Sequence, residues 1–188
     1  MLFGLLSRMR KLGVRIEPFL VVREAEQPVD VQAASDSFRF GFLDESSVDE
    51  LLRLEPDADR EEILGWLSAG KRCYGVWDGS RLVAKMWCDL DEFSYPPNRR
   101  KLERDEAYIY AAFTDPEYRG MSLAPLMRGH GYDALKAMGR NRLYSYTDYF
   151  NTPARRFKLK LGARDVRLRL HLAFFSIWSS TVTLRRYS

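Results

Sequence analysis

The sequence predicts a mixed α/β domain, antiparallel in its first half and carrying a strand–helix–strand unit in its second. Three observations predict it. Two alternating runs, "RCYGVWD" and "RLVAKMWCDLDEF", flank Gly79-Ser80 directly after Asp78, and Asp-Gly between such runs marks a hairpin. An apolar strand, "AYIYAAFT", passes through the charged turn "DPEYRGMS" into a helical pattern that ends near Gly139. Beyond it come the strand "RLYSYTDYF", the short helix "TPARRFKLKLG", and strands in "ARDVRLRLHLAFF" and "STVTLRRY".

Taken in order, residues 1 to 23 read as an amphipathic arm, with Arg8, Arg10 and Lys11 following the apolar run "LFGLL" rather than preceding it. That order argues against a secretory signal. The arm suits either a membrane surface or the domain's own surface, so peripheral membrane contact is left open. The polar stretch "REAEQPVDVQAASDS" then connects to the strand "FRFGFL". The organisation is therefore an arm and connection over residues 1 to 35 and one domain over 36 to 188.

Two helical stretches follow, "SVDELLRL" and "DADREEILGWLSAG", separated by Glu55-Pro56. Ser46 or Ser47 is the expected cap of the first and Asp57 of the second, with Gly70 closing it. The stretch "YPPNRRKLERDE" reads as a loop, because Pro96 and Pro97 forbid regular pairing there.

No stretch approaches the roughly 20 uncharged apolar residues of a membrane-spanning helix. Cys73 and Cys88 lie in strand-like apolar surroundings without a nearby histidine, so they read as reduced core residues of a cytoplasmic protein, with no metal site. The last quarter is rich in arginine and lysine against only Asp148 and Asp165. That asymmetry suits an anionic partner such as a nucleotide cofactor, a phosphorylated substrate or a lipid surface. Nucleic acid is not expected, since the cations are scattered and no reading motif is present.

In the turn "PEYRGMSLA", Gly120 and Ser122 keep the backbone slim, so successive amides can point at one concave spot. The following helix adds the positive end of its dipole and Arg119 adds a full charge, which makes a pyrophosphate the natural occupant. Leu123, Leu126, Met127, Ala134, Leu135 and Met138 share the helix's core stripe, and His130 falls on it as a structural histidine rather than a base.

The run Arg119, Gly120, Met121, Ser122, Leu123, Ala124 resembles the pyrophosphate loop of the GNAT superfamily of acyl-CoA-dependent N-acetyltransferases, with Ser122 where glycine is usual. The later "NTPARRFKLKLGA" resembles the family's second motif through Asn151, Ala154, Leu161 and Gly162, with Ala163 where an aromatic residue is commoner. The resemblance implies a mostly antiparallel sheet flanked by helices around a βαβ acyl-CoA-binding core, acetyl-CoA as cosubstrate, and a small-molecule amine or amino sugar as acceptor. It also implies that Phe113 and Thr114 meet pantetheine and that an amide near Ala112 or Phe113 faces the thioester oxygen.

The family's leaving-group acid, a tyrosine four residues beyond the motif alanine, is replaced here by Lys158, which then becomes a candidate CoA-phosphate contact. Tyr146 or Tyr149 can take its role, or none is needed. For the base, Asp148, Glu106 and Tyr110 lie on the two strands implied to flank the acceptor, and Asp148 comes first as the sole acid of its strand. Three functional readings stay open: N-acetyltransferase, longer-chain N-acyltransferase at a membrane surface, and catalytically silent acyl-CoA-binding domain. The final apolar strand has the composition to pair across a homodimer.

Overall fold

The computed structural model describes residues 13–25, 37–95, 98–175 and 177–187. The chain forms a mixed α/β fold that divides into two compact units. A central unit spans residues 27 to 93 and 101 to 143, and a terminal unit spans 1 to 26, 94 to 100 and 144 to 188.

In the central unit, β2 (Phe38–Leu43), β3 (Arg72–Asp78), β4 (Arg81–Asp89) and β7 (Glu106–Thr114) lie side by side in that order, every pair antiparallel. The β3–β4 hairpin turns at Gly79, whose φ of 55° is one that glycine adopts without strain. Alternation along β3 and β4 splits their side chains between two faces. On one face Cys73, Trp77 and Trp87 join a core with Val48, Leu51 and Leu54 of α1 (Val48–Leu54) and Ile63 of α2 (Arg60–Ser68). On the other, α3 (Leu123–Ala137) comes so close that a Cβ on Gly131 would stand 2.0 Å from Met86 Cε. Leu123, Leu126, Met127 and Leu135 of α3 are buried, as its periodicity predicts, and Tyr132 joins them, whereas Ala134 is half-buried and Met138, expected on the same stripe, is exposed just past the helix's last turn.

The expected helix caps shift slightly. Ser47 stands at the N-cap of α1 without a side-chain cap bond, while Asp44 caps the preceding 3₁₀ turn (Glu45–Ser47) by accepting from Ser46 N. Asp59 rather than Asp57 caps α2, accepting from Glu61 N at 2.8 Å. Pro56 delays the second helix, so the nearer aspartate to its start takes the role.

In the terminal unit the order is β10 (Trp178–Arg186), β9 (Arg164–Phe174), β1 (Val14–Arg23) and β8 (Arg142–Asp148), again antiparallel. This corrects the arm expected over residues 1 to 23. Val14–Arg23 is an inner strand paired on both sides, with Phe19 and Leu20 fully buried, because two non-local partners supply the ladder that local pattern does not reveal. Pro18 lacks an N–H, stands opposite Leu170, and gives its carbonyl to Tyr149 N at 3.0 Å. Residues 1 to 12 and most of the connection lie outside the described residues.

The loop expected at "YPPNRRKLERDE" carries two short strands, β5 (Glu92–Tyr95) and β6 (Asn98–Lys101), which pair with each other. Pro96 and Pro97 fall between them, so neither strand needs an N–H from proline. The helix α4 (Thr152–Lys160) follows β8. Cys73 and Cys88 are free and buried, and burial pushes the Cys88 thiol up to about 12 and raises Cys73 likewise.

Candidate active site

The phosphate turn belongs wholly to the central unit. Asp115 accepts from Glu117 N at 3.0 Å and starts a 3₁₀ turn (Pro116–Tyr118), after which Arg119 is extended. Gly120 then takes φ 85° and Ser122 φ 57°, so the backbone reverses twice before α3 begins. Ser122 makes no side-chain cap bond. Residues 119 to 122 form a hydrogen-bonded turn, and the first bond of the helix that follows runs from Leu126 N to Ser122 O at 3.3 Å. The first amides of a helix have no partner within it, and its N-terminus favours negative charge.

The charges around the turn agree. Arg119 donates from Nε to Thr114 O at 3.3 Å and lies 5.9 Å from the centre of the Phe113 ring, so it leaves β7 already oriented. The nearby acids Asp115 and Glu117 share Arg81, at 2.7 and 2.9 Å. Nothing lies within 4 Å of a Cβ built on Gly120, so the turn is uncrowded at that residue. Met121 is half exposed and Leu123 faces the core.

Just upstream, β7 departs from its ladder with β4. Lys85 pairs with Phe113 and Trp87 with Tyr110, so Ala111 and Ala112 stand against Met86 alone, and Ala111 has φ 44°. This is a β-bulge. Lys85, buried on β4, donates to Ala111 O at 3.0 Å and pairs with Glu55 at 2.7 Å. Lys85 is not among the site residues expected above, although a lone cation inside "LVAKMWC" signals it.

Tyr110 packs on Trp66 and stacks on Tyr108 with ring centres 5.1 Å apart. Its hydroxyl is buried without a partner among the described residues, and burial raises its pKa. A phenol so placed stays protonated, which removes Tyr110 from the candidate bases and makes it a donor in search of an acceptor. Glu106 is buried and paired with Arg142 at 3.3 Å, which also withdraws it from that role. His130 stacks on Phe40 at 4.0 Å, as a structural histidine would.

In the terminal unit, Asp148 ends β8 with an exposed carboxylate that accepts from Phe150 N at 2.8 Å. Asn151 caps α4 by accepting from Ala154 N at 3.1 Å, which explains why that motif needs an asparagine at the helix start. Tyr146 packs edge-on against Tyr95, and burial, with the Asp148 charge behind it, raises its pKa.

Lys158 corrects the expected phosphate contact. Its side chain is buried, and its ammonium donates to Ser145 Oγ at 2.6 Å and Tyr146 O at 2.9 Å, with Glu24 Oε1 at 3.8 Å. Glu24 is fully buried and accepts from Ser145. An ammonium released to a phosphate would strand that carboxylate in the interior, so the ion pair keeps it inside.

A family model described as the acetyltransferase (GNAT) family matches residues 36–163. The chain belongs to the GNAT acetyltransferase family. Solved structures share the GNAT fold at low identity. A conserved protein from Staphylococcus epidermidis ATCC 12228 matches with TM-score 0.63 and 10% identity, over 91% of this chain and 66% of its own. A GNAT-family acetyltransferase from Colwellia psychrerythraea matches with TM-score 0.63 and 12% identity, over 86% of this chain and 57% of its own. An aminoglycoside acetyltransferase from an uncultured soil metagenomic sample matches with TM-score 0.53 and 14% identity, over 68% and 88%. This GNAT chain therefore spans no more than two thirds of the length of the first two. No curated protein matches it.

Proposed function

We propose that the protein is an N-acetyltransferase that moves an acetyl group from acetyl-CoA to a primary amine of a small molecule or amino sugar. The observation that carries this is the exposed turn over residues 119 to 122, left-handed at Gly120 and Ser122, which brings the Arg119 charge to the N-terminus of α3. Arg119 to Ala124 hold the pyrophosphate, and Phe113 and Thr114 meet the pantetheine arm. The structural likeness to an aminoglycoside acetyltransferase supports an amino sugar as one acceptor to try.

The amine nitrogen attacks the thioester carbon, the C–N bond forms, the C–S bond breaks and CoA leaves as the thiolate. Asp148, exposed and anchored by Phe150 N, takes the proton that the amine sheds. Tyr146, a phenol on the same strand as Asp148, donates a hydrogen bond. Tyr110 offers its unpartnered hydroxyl to the acceptor. Lys158 and Asn151 act by holding α4 on its strand.

A second reading is favoured by one observation. Phe174, Phe175, Ile177 and Trp178 are 41, 65, 89 and 51% exposed at the β9–β10 turn. Such an aromatic tip suits a peripheral membrane contact and a longer acyl donor. The outer strand β10, with Val182 and Leu184 exposed, also suits a homodimer. The reduced thiols support a cytoplasmic location.

The test is a panel of amines with acetyl-CoA, read by thiol release, with palmitoyl-CoA and anionic vesicles in parallel. Acetyl transfer to an amino sugar supports the first reading. Turnover of only the long-chain donor with vesicle binding supports the second, and binding without turnover would leave a silent acyl-CoA-binding domain.

A further inference from the structure

Lys85 is a buried cation in a strand where an apolar side chain would fit without desolvation. Its side chain is 4% exposed, and Glu55, at the C-terminal end of α1, supplies the carboxylate that pairs with it. Replacing a buried ion pair with apolar groups is often neutral or stabilising. Packing alone therefore gives no reason for it.

The other partner of the ammonium supplies one. Lys85 Nζ donates to the carbonyl of Ala111, the residue at which β7 bulges, 3.0 Å away. That carbonyl belongs to the same planar, trans peptide group as the N–H of Ala112, so the two point in opposite directions. With the oxygen held on the ammonium, the Ala112 N–H points away from it. A cation on the oxygen also draws charge through the amide and makes the N–H a stronger donor.

We propose that Lys85 and Glu55 are a positioning pair that orients and polarises the Ala111–Ala112 peptide, so that the Ala112 N–H donates to the thioester oxygen as negative charge develops on it. This rests on the acetyl-transfer reading above. Lys85 touches no reacting atom and acts through the peptide, while Glu55 fixes where the ammonium sits. The bulge supplies the remaining condition, because Ala111 and Ala112 are exposed where the ladder lapses.

The test is the infrared carbonyl stretch of bound acetyl-CoA labelled with ¹³C at the thioester carbon, with turnover and the Kd of free CoA measured on the same samples. In the native protein the stretch should move to lower frequency on binding. Lys85→Met should lose that displacement and about 10- to 100-fold in kcat, the range for a weakened oxyanion donor, with the Kd of CoA within about twofold of native. Glu55→Gln, which keeps the ammonium's other partner, should lose part of both and serves if Lys85→Met fails to fold. A displaced stretch and native kcat in both variants, with only thermal stability changed, would overturn the inference alone. Absence of CoA binding by the native protein would overturn the acetyl-transfer reading and this inference with it.

Discussion

Ser122 opens α3 at φ 57° and ψ 19° with no cap bond from its hydroxyl, and both facts can be tested by substitution. The left-handed conformation costs a non-glycine residue about 1–2 kcal/mol. Glycine avoids that but gives up about 0.5–1 kcal/mol of chain entropy on folding. Ser122→Gly should therefore stabilise the fold by about 0.5–1 kcal/mol, or about 1–4 °C in Tm for a chain of this size. Ser122→Ala keeps the Cβ and its strain and loses only a hydroxyl without a cap bond, so its Tm should match the native value. Titration of CoA separates the two functions of the position. If the hydroxyl reaches a phosphate oxygen, both variants lose a hydrogen bond to a charged group and Kd rises at least about tenfold. Scanning calorimetry and isothermal titration read both quantities. A fall of several degrees in either variant would mean that the hydroxyl caps α3 in solution, and the account of this turn as strained and open would be refuted.

The buried pair in the terminal unit predicts a stability defect. Glu24→Ala leaves the Lys158 ammonium in the interior and should cost about 3–5 kcal/mol, or about 10 °C in Tm, whereas Glu24→Gln with Lys158→Met should recover most of it. Asp148→Asn keeps an acceptor for Phe150 N, so Tm should hold while kcat falls at least about 100-fold if Asp148 is the base; unchanged kcat would move that role elsewhere. The thiols predict an alkaline loss of stability. Burial raises Cys88 from 9.0 to about 12 and raises Cys73 in the same direction, so the folded state binds these protons more tightly than the unfolded state. Their contribution is full below about pH 9 and lost above it, at about 1.4 kcal/mol per thiol by pH 10. Denaturant midpoints of native protein and Cys88→Val across that range check the slope, and parallel curves would contradict it.

Local chemistry made part of this structure legible. The β3–β4 hairpin followed from Asp78-Gly79, and the strand, turn and helix from Glu106 to Ala137 followed from an apolar run, a slim turn and a 3.6-residue stripe. What stayed hidden depended on partners distant in sequence. Val14–Arg23 is a strand because β8 and β9 pair with it from more than a hundred residues away. Lys158 reads in the sequence as a CoA-phosphate contact, because nothing local shows that the fold brings Glu24 beside it. Lys85 stands out in the sequence as a lone cation in an apolar run, but its partner, the Ala111 carbonyl, does not, since a register shift between β4 and β7 places it. Tyr110 lies on the strand expected for it, but that its hydroxyl is buried without a partner among the described residues is a property of the fold, not of the local sequence.

The central claim is that the turn from Arg119 to Ala124 holds the pyrophosphate of acetyl-CoA, and calorimetric titration of acetyl-CoA into native protein and Arg119→Glu at one salt concentration tests it most directly. The account predicts saturable one-to-one binding by the native protein and none at the same concentrations by Arg119→Glu, with both melting at the same temperature. Equal binding by the two proteins, or no binding by either at high micromolar acetyl-CoA, would contradict it.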